Sequence, residues 1–147
     1  MSIAIRPATP ADQSTIVRIV RAARINPMSL HWSRFFVAEE AGEIIGTVQV
    51  KMHRNGVYEL ASLAVVPSRQ GAGIGATLVR SVQAQATAPL YLTCADRLEG
   101  FYQRFGFRRV EPRTLPATLG RIYVIGNILL GLFRQGVRLL VMRWDGD

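Results

Sequence analysis

Three glycines fall within five residues in the run Gln70-Gly71-Ala72-Gly73-Ile74-Gly75-Ala76, and this is where the sequence first suggests chemistry. An apolar stretch and a connector, Pro67-Ser68-Arg69-Gln70, precede the run, and an amphipathic helical pattern follows it. Closely spaced glycines let the backbone turn with several N–H groups facing one way, and a helix that starts there adds its unsatisfied first-turn donors and positive dipole end. Such an arrangement holds a phosphate or pyrophosphate. Among titratable groups, Glu59 stands on a strand pattern with Val57, Ala61, Leu63 and Val65 on the same face, where a carboxylate among apolar neighbours should have a raised pKa and could accept a proton. An ordinary ion pair with Arg54, diagonal to it across a hairpin, is the competing reading. His31 and His53 read as a loop residue and a solvated strand end. The single cysteine, Cys94, reads as a small buried strand residue; it can form neither an internal disulfide nor a cysteine zinc site.

The elements that would position these groups alternate along the chain. Ile3 to Arg6 reads as a short strand. Thr9-Pro10-Ala11-Asp12 is a capping box with proline at the first helical position, and Ile16, Val17, Val20 and Ala23 form the stripe of the helix it opens. Arg24 to Ser33 is a loop or broken helix. Phe35 to Glu40 and Ile44 to His53 are strands joined at Ala41-Gly42, and Asn55-Gly56 is a two-residue hairpin signal leading into Val57 to Val66 and pairing Glu59 with Met52. After the glycines, Ile74, Leu78, Val82 and Ala86 recur at helical spacing. Leu90 to Cys94 is then a strand parallel to its predecessor. Leu98, Phe101, Tyr102 and Phe105 line a short helix ended by Gly106, and Phe107 to Val110 starts another strand. The class is mixed α/β.

Composition bounds the rest. At 147 residues with 49% hydrophobic and 19% charged content, one folded domain spanning 1–147 is expected. No leader pattern is present, and the longest uncharged apolar run, Ile122 to Phe133, is too short to span a bilayer, so a cytoplasmic protein is expected. The formal charge of +8 arises from 18 basic residues, of which Lys51 is the one lysine. Nucleic acid, an anionic cofactor or an acidic membrane surface could answer to it. The arginines are spread along the chain without a nucleic-acid motif, and the field would repel a lysine-rich acceptor.

Two phosphate-binding patterns can be set against the glycine run. Gly71-Ala72-Gly73-Ile74-Gly75-Ala76 satisfies G-x-G-x-x-A, and Asp96 lies near the offset of a dinucleotide site's acidic residue. A dinucleotide fingerprint, however, places its first glycine at the strand end, and the preceding strands here form hairpins in place of crossovers. A nucleoside-triphosphate loop lacks its lysine.

Gln70-Gly71-Ala72-Gly73-Ile74-Gly75 instead resembles Q/R-x-x-G-x-G/A, the acyl-CoA pyrophosphate signature of the GNAT superfamily of N-acetyltransferases. Leu63-Ala64-Val65-Val66-Pro67 looks like that family's fourth strand. Phe101-Tyr102-Gln103-Arg104-Phe105-Gly106-Phe107 resembles its F-Y-x-x-x-G-F segment, and Ile5 to Asp12 its opening, so the resemblance covers residues 3–110.

The resemblance implies the GNAT fold: a mostly antiparallel twisted sheet, splayed between its fourth and fifth strands and flanked by helices. It implies acetyl-CoA as co-substrate, with its pyrophosphate on the amides of Gly71, Ala72, Gly73, Ile74, Gly75 and Ala76 beside Arg69 or Gln70. Backbone groups of Leu63 and Val65 would pair with the pantetheine arm, and an N–H near Leu63 or Ala64 would polarise the thioester carbonyl. Tyr102 matches the tyrosine that protonates the departing thiolate, although it also sits on a core-facing aromatic stripe. Glu59 is then the candidate base for a primary amine acceptor. Where many members carry an asparagine that contacts pantetheine, this chain has Ala95.

The segment 111–147 is atypical. Leu119, Ile122, Tyr123, Gly126, Leu129, Leu130 and Phe133 share one helical face and Val124, Ile125, Ile128 and Leu132 the other, an apolar helix expected before a last strand Val137 to Trp144. A lid over an acceptor lined by Trp32 and Phe36, a homodimer interface at Gly126 and Gly131, or a membrane-surface contact would each bury it. The resulting expectation is an acetyl-CoA-dependent N-acetyltransferase of a small amine. A non-catalytic acyl-CoA-binding module and a basic nucleic-acid-binding module are the alternatives.

Overall fold

The computed structural model describes residues 2–53, 56–111, 114–115, 117 and 137–146. The apolar segment 119–133 lies outside the described residues, as do Arg54 and Asn55. Seven strands and three α-helices occur among the described residues, which makes the class mixed α/β. They group into two compact units, Met1–Lys51 with Leu60–Ala86, and Met52–Glu59 with Thr87–Asp147.

The first unit begins with β1 (Ala4–Pro7). Thr9 and Asp12 then set the helix start: the Asp12 carboxylate accepts the Thr9 N–H at 2.8 Å and the Thr9 hydroxyl at 3.2 Å. A 3₁₀ turn, Pro10–Asp12, runs into α1 (Gln13–Ala22). The buried side chains of α1 are Ile16, Ile19 and Val20, and Ile16 and Val20 pack with Ala8, Leu30, Phe35 and Val37. Full burial of each such aliphatic side chain contributes about 1.5–3 kcal/mol, enough to hold a short helix on a sheet. Ala23, expected on this stripe, is exposed.

The hairpin signal at Ala41-Gly42 is realised with positive φ at both residues, +51° and +81°, joining β2 (Phe35–Glu40) to β3 (Glu43–Met52). Strand β1 pairs antiparallel with β2, and β2 with β3, with a register shift between Ala38 and Glu39. Next comes β4 (Tyr58–Val65), beside β3. The helix α2 (Ile74–Gln85) buries Ile74, Leu78, Val79 and Val82. Gly46 permits its close approach, because a Cβ there would lie 3.0 Å from the Leu78 Cδ1 and 3.3 Å from the Ile74 Cγ2.

In the second unit, β5 (Leu90–Ala95) pairs antiparallel with β7 (Leu139–Trp144), from Leu90 opposite Trp144 to Ala95 opposite Leu139. The other edge of β7 pairs with β6 (Arg108–Arg109), so the last strand lies between β5 and β6. A 3₁₀ turn, Asp96–Leu98, leads into α3 (Glu99–Gln103), and Gly106 follows at φ +88°. The expected strand from Phe107 to Val110 is only two residues long, Arg108–Arg109. Phe107, Leu90, Leu92 and Met142 are fully buried. Among the described residues no helix is long and apolar enough to cross a membrane.

Candidate functional site

The glycine run opens α2 as its sequence demands. Gly71 and Gly73 both have φ +82°, the left-handed region that a residue with a Cβ adopts only at a cost, and Gly73 is the N-cap. A Cβ at either position would meet nothing within 4 Å, so these glycines serve backbone conformation and not packing. The Thr77 N–H donates to the Gly73 carbonyl at 3.1 Å as the first i to i−4 bond of the helix. The amides of Ile74, Gly75 and Ala76 come before it and have no intrahelical acceptor. Gly71, Ala72 and Gly73 are exposed, and their amides together with those first-turn donors form a concentrated set for an anion.

Arg69 and Gln70, expected beside that anion, are engaged elsewhere. Both Arg69 Nη groups bond the Glu40 carboxylate, Nη2 to Oε2 at 2.9 Å. Arg69 accordingly holds the Glu40 carboxyl below its ordinary pKa. The Gln70 Nε2 donates to the Val65 carbonyl at 3.0 Å, tying the connector back to the end of β4. Along β4, Ala64 is buried and Leu63 and Val65 are half-buried. Ser62, just before them, has φ +56° inside a strand, a feature that no sequence signal announced.

The second unit carries the acid–base candidates. Glu59 is 7% exposed, and its Oε1 lies 2.6 Å from the His53 Nε2. His53 is thus no solvated strand end, and the surroundings of Glu59 are not purely apolar. The hairpin reading also needs correction. The His53 N–H donates to the Val57 carbonyl at 2.7 Å, which closes a turn with three residues inside instead of the two-residue Asn55-Gly56 loop. Met52, expected opposite Glu59 and on its face, is 68% exposed. A change of turn length shifts the register, and one residue of shift reverses every side chain.

Tyr102 is 6% exposed and packs edge-on against Phe101 and Phe107, with centroids 5.0 Å and 5.9 Å away. Burial pushes its phenol above the ordinary tyrosine pKa, and the nearby Cys94 adds to the shift, so at neutral pH the proton stays on oxygen. Cys94 is buried with its thiol 3.9 Å from the Met142 sulfur, and its pKa is pushed up to about 12, chiefly by burial and then by Glu99 and Asp96. A thiol so protonated is a poor nucleophile. Ala95 ends β5 half-buried.

His31 caps the turn Trp32–Arg34, its Nδ1 lying 2.6 Å from the Ser33 hydroxyl. Trp32 packs on the α1 cluster, and Phe36 is half-buried on β2. A cleft of about 290 Å³ in the second unit is lined by Asp96, Arg109, Val110, Glu111, Arg138, Leu140 and Val141; of these only Asp96 is a sequence-derived candidate, for the dinucleotide pattern.

Comparison with known proteins bears on the whole arrangement. Residues 31–109 match the family model described as an acetyltransferase (GNAT) domain. An uncharacterised N-acetyltransferase of Chlorobaculum tepidum is 27% identical over 80% of this chain and 83% of its own length. A GNAT family acetyltransferase from Brucella melitensis, solved in complex with acetyl-CoA, superposes with TM-score 0.58 at 28% identity, over 73% of this chain and 83% of that one. N-acetylglutamate synthase from Neisseria gonorrhoeae, solved with coenzyme A and N-acetyl-glutamate, gives TM-score 0.77 at 23% identity over 99% of this chain. This chain spans only 36% of the synthase, and at that identity the likeness is one of fold.

Proposed function

This chain belongs to the GNAT family of acetyltransferases, and from that premise we propose that it transfers the acetyl group of acetyl-CoA to the primary amine of a small acceptor by direct attack. The observation that carries the reading is the left-handed pair Gly71 and Gly73 opening α2, with the amides from Gly71 to Ala76 available to an anion. These amides bind the CoA pyrophosphate. Arg69 and Gln70 act there mainly as braces, since Glu40 and the Val65 carbonyl already hold them. Backbone groups of Leu63 and Val65 pair with the pantetheine arm, and an amide at Leu63 or Ala64 stabilises the oxyanion.

Glu59 takes the proton of the acceptor ammonium, directly or through His53 at 2.6 Å. The neutral amine nitrogen then attacks the thioester carbon; as the tetrahedral intermediate collapses the C–S bond breaks, the CoA sulfur leaves with the electron pair, and the nitrogen releases its second proton to solvent to leave the neutral amide. Tyr102 supplies the proton to that sulfur and regains one from solvent. Burial keeps the Tyr102 phenol protonated at neutral pH, so it is in the form that can donate. The lone reduced cysteine fits a cytoplasmic setting.

Acyl-CoA binding without turnover is a second reading, favoured by the tight aromatic packing of Tyr102. Thiol release from acetyl-CoA across polyamines, arylalkylamines, amino acids, aminoglycosides and short peptides separates the two. The synthase neighbour solved with N-acetyl-glutamate puts acidic amino acids first in that panel. Turnover on one class, with Tyr102→Phe lowering kcat by about 10²-fold or more and leaving acetyl-CoA affinity unchanged, supports direct transfer. Acetyl-CoA binding with no turnover on any class supports the second reading.

A further inference from the structure

Ser62 has φ +56° in the middle of β4, immediately before Leu63 and Ala64. A residue with a Cβ holds that conformation in a strand only when its surroundings impose it. A left-handed residue within a strand breaks the regular pleat, as at a bulge, where one residue is left unpaired in the ladder.

Two side chains of β3 hold Ser62 in place. The Thr47 hydroxyl donates to the Ser62 carbonyl at 2.9 Å, and the Gln49 Nε2 donates to the Ser62 hydroxyl at 2.8 Å. Both Thr47 and Gln49 are wholly inaccessible to solvent. The remaining polar capacity of Gln49 is directed too: Nε2 also donates to the Ser29 carbonyl at 3.2 Å, and Oε1 accepts from the Arg34 Nε at 3.3 Å. The Arg34 Nη2 donates to the same Ser29 carbonyl at 2.9 Å. A flipped amide would set its NH₂ against a guanidinium and its oxygen against a carbonyl, so the orientation is determined. One buried amide therefore bridges the loop before β2 and the irregular point of β4.

We propose that Gln49 and Thr47 are positioning residues for acetyl transfer. They keep Ser62 left-handed so that the next amide of β4, at Leu63, faces the thioester carbonyl, and Gln49 makes that geometry depend on the Ser29–Arg34 loop. The proposal rests on the acetyltransferase reading above. Neither residue touches the reacting atoms; both act through the backbone of Ser62.

Glycine at position 62 tolerates positive φ without a clamp, which supplies the test. In the wild-type background Gln49→Leu should lower kcat by about 10²-fold, with the acetyl-CoA dissociation constant unchanged within about twofold. In a Ser62→Gly background the same substitution should cost less than about threefold. Equal losses in both backgrounds, or a loss that resides in acetyl-CoA affinity, would overturn the proposal. Thr47→Val, which removes the second bond without changing side-chain shape, is measured in both backgrounds with the same criteria should Gln49→Leu not fold. A crystal structure of the Gln49→Leu or Thr47→Val variant gives a readout without activity. Ser62 should leave the left-handed region, and its retention there would overturn the clamp. If the wild type acetylates no acceptor, the acetyltransferase reading fails, while this structural arm still decides the clamp.

Discussion

Glu59 shows how far one residue's role depends on its neighbour. The Glu59 carboxylate lies 2.6 Å from the His53 Nε2, so an imidazole stands beside the base of the proposed reaction. Glu59→Gln should lower kcat/KM at neutral pH by about 10²-fold, and the deficit should narrow as pH rises, because free amine then forms without help. A pH–rate profile of both proteins checks this; a constant deficit at all pH values would point to a structural role. Asp12 belongs to the same scale. Its carboxylate takes two bonds from Arg6, at 2.8 Å and 3.2 Å, while Arg6 also reaches Glu39 at 3.0 Å. Chiefly through Arg6, the folded state lowers the Asp12 pKa below its ordinary value. A depressed carboxylate stabilises the fold above its unfolded pKa of about 3.9 and loses that contribution as pH falls through the lower folded value. Asp12→Asn should therefore cost about 1–3 kcal/mol near neutrality, measured by urea unfolding, and the difference from wild type should shrink below about pH 4.

At the scale of elements, the loop into α2 makes the sharpest demand on sequence. Gly73 combines φ +82° with open space around its missing Cβ, so an alanine there is strained without clashing. Gly73→Ala should lower stability by about 1–2 kcal/mol and weaken acetyl-CoA binding by about tenfold as the first-turn amides shift. Calorimetric titration with acetyl-CoA and a thermal melt read the two effects separately. The helix starts were legible because their signals are local: Thr9 to Asp12, and the glycine run. The β4 hairpin was less so. An Asn-Gly pair permits a two-residue turn but does not impose it; the His53 N–H donates to the Val57 carbonyl, and Met52 is exposed while Glu59 is buried.

For the molecule as a whole, the formal charge of +8 is the property that acts at a distance. It attracts an anionic co-substrate and repels cationic acceptors. Acetyl-CoA affinity should fall by about three- to tenfold between about 0.05 and 0.5 M salt as the charges are screened, measured by titration at several ionic strengths. An affinity indifferent to salt would confine recognition to the glycine-loop amides. The nucleic-acid alternative predicts a different pattern, salt-sensitive retention on nucleic acid that acetyl-CoA does not relieve.

The sequence by itself determined the glycine-rich loop, the strand before it, the helix after it and the order of elements that marks the family. Each of these signals acts within a few residues: a positive φ favours glycine, an apolar stripe demands a buried face, and a capping residue meets donors one turn away. Tertiary structure decided which side chains became partners. Arg69 turns to Glu40, His53 to Glu59, and Gln49 reaches both Ser62 and Ser29, across separations of 29, 6, 13 and 20 residues. Strand register and loop path set those pairings, and both emerge only when the sheet is assembled, because the free energy of a buried polar contact depends on what faces it and not on where it lies in the chain.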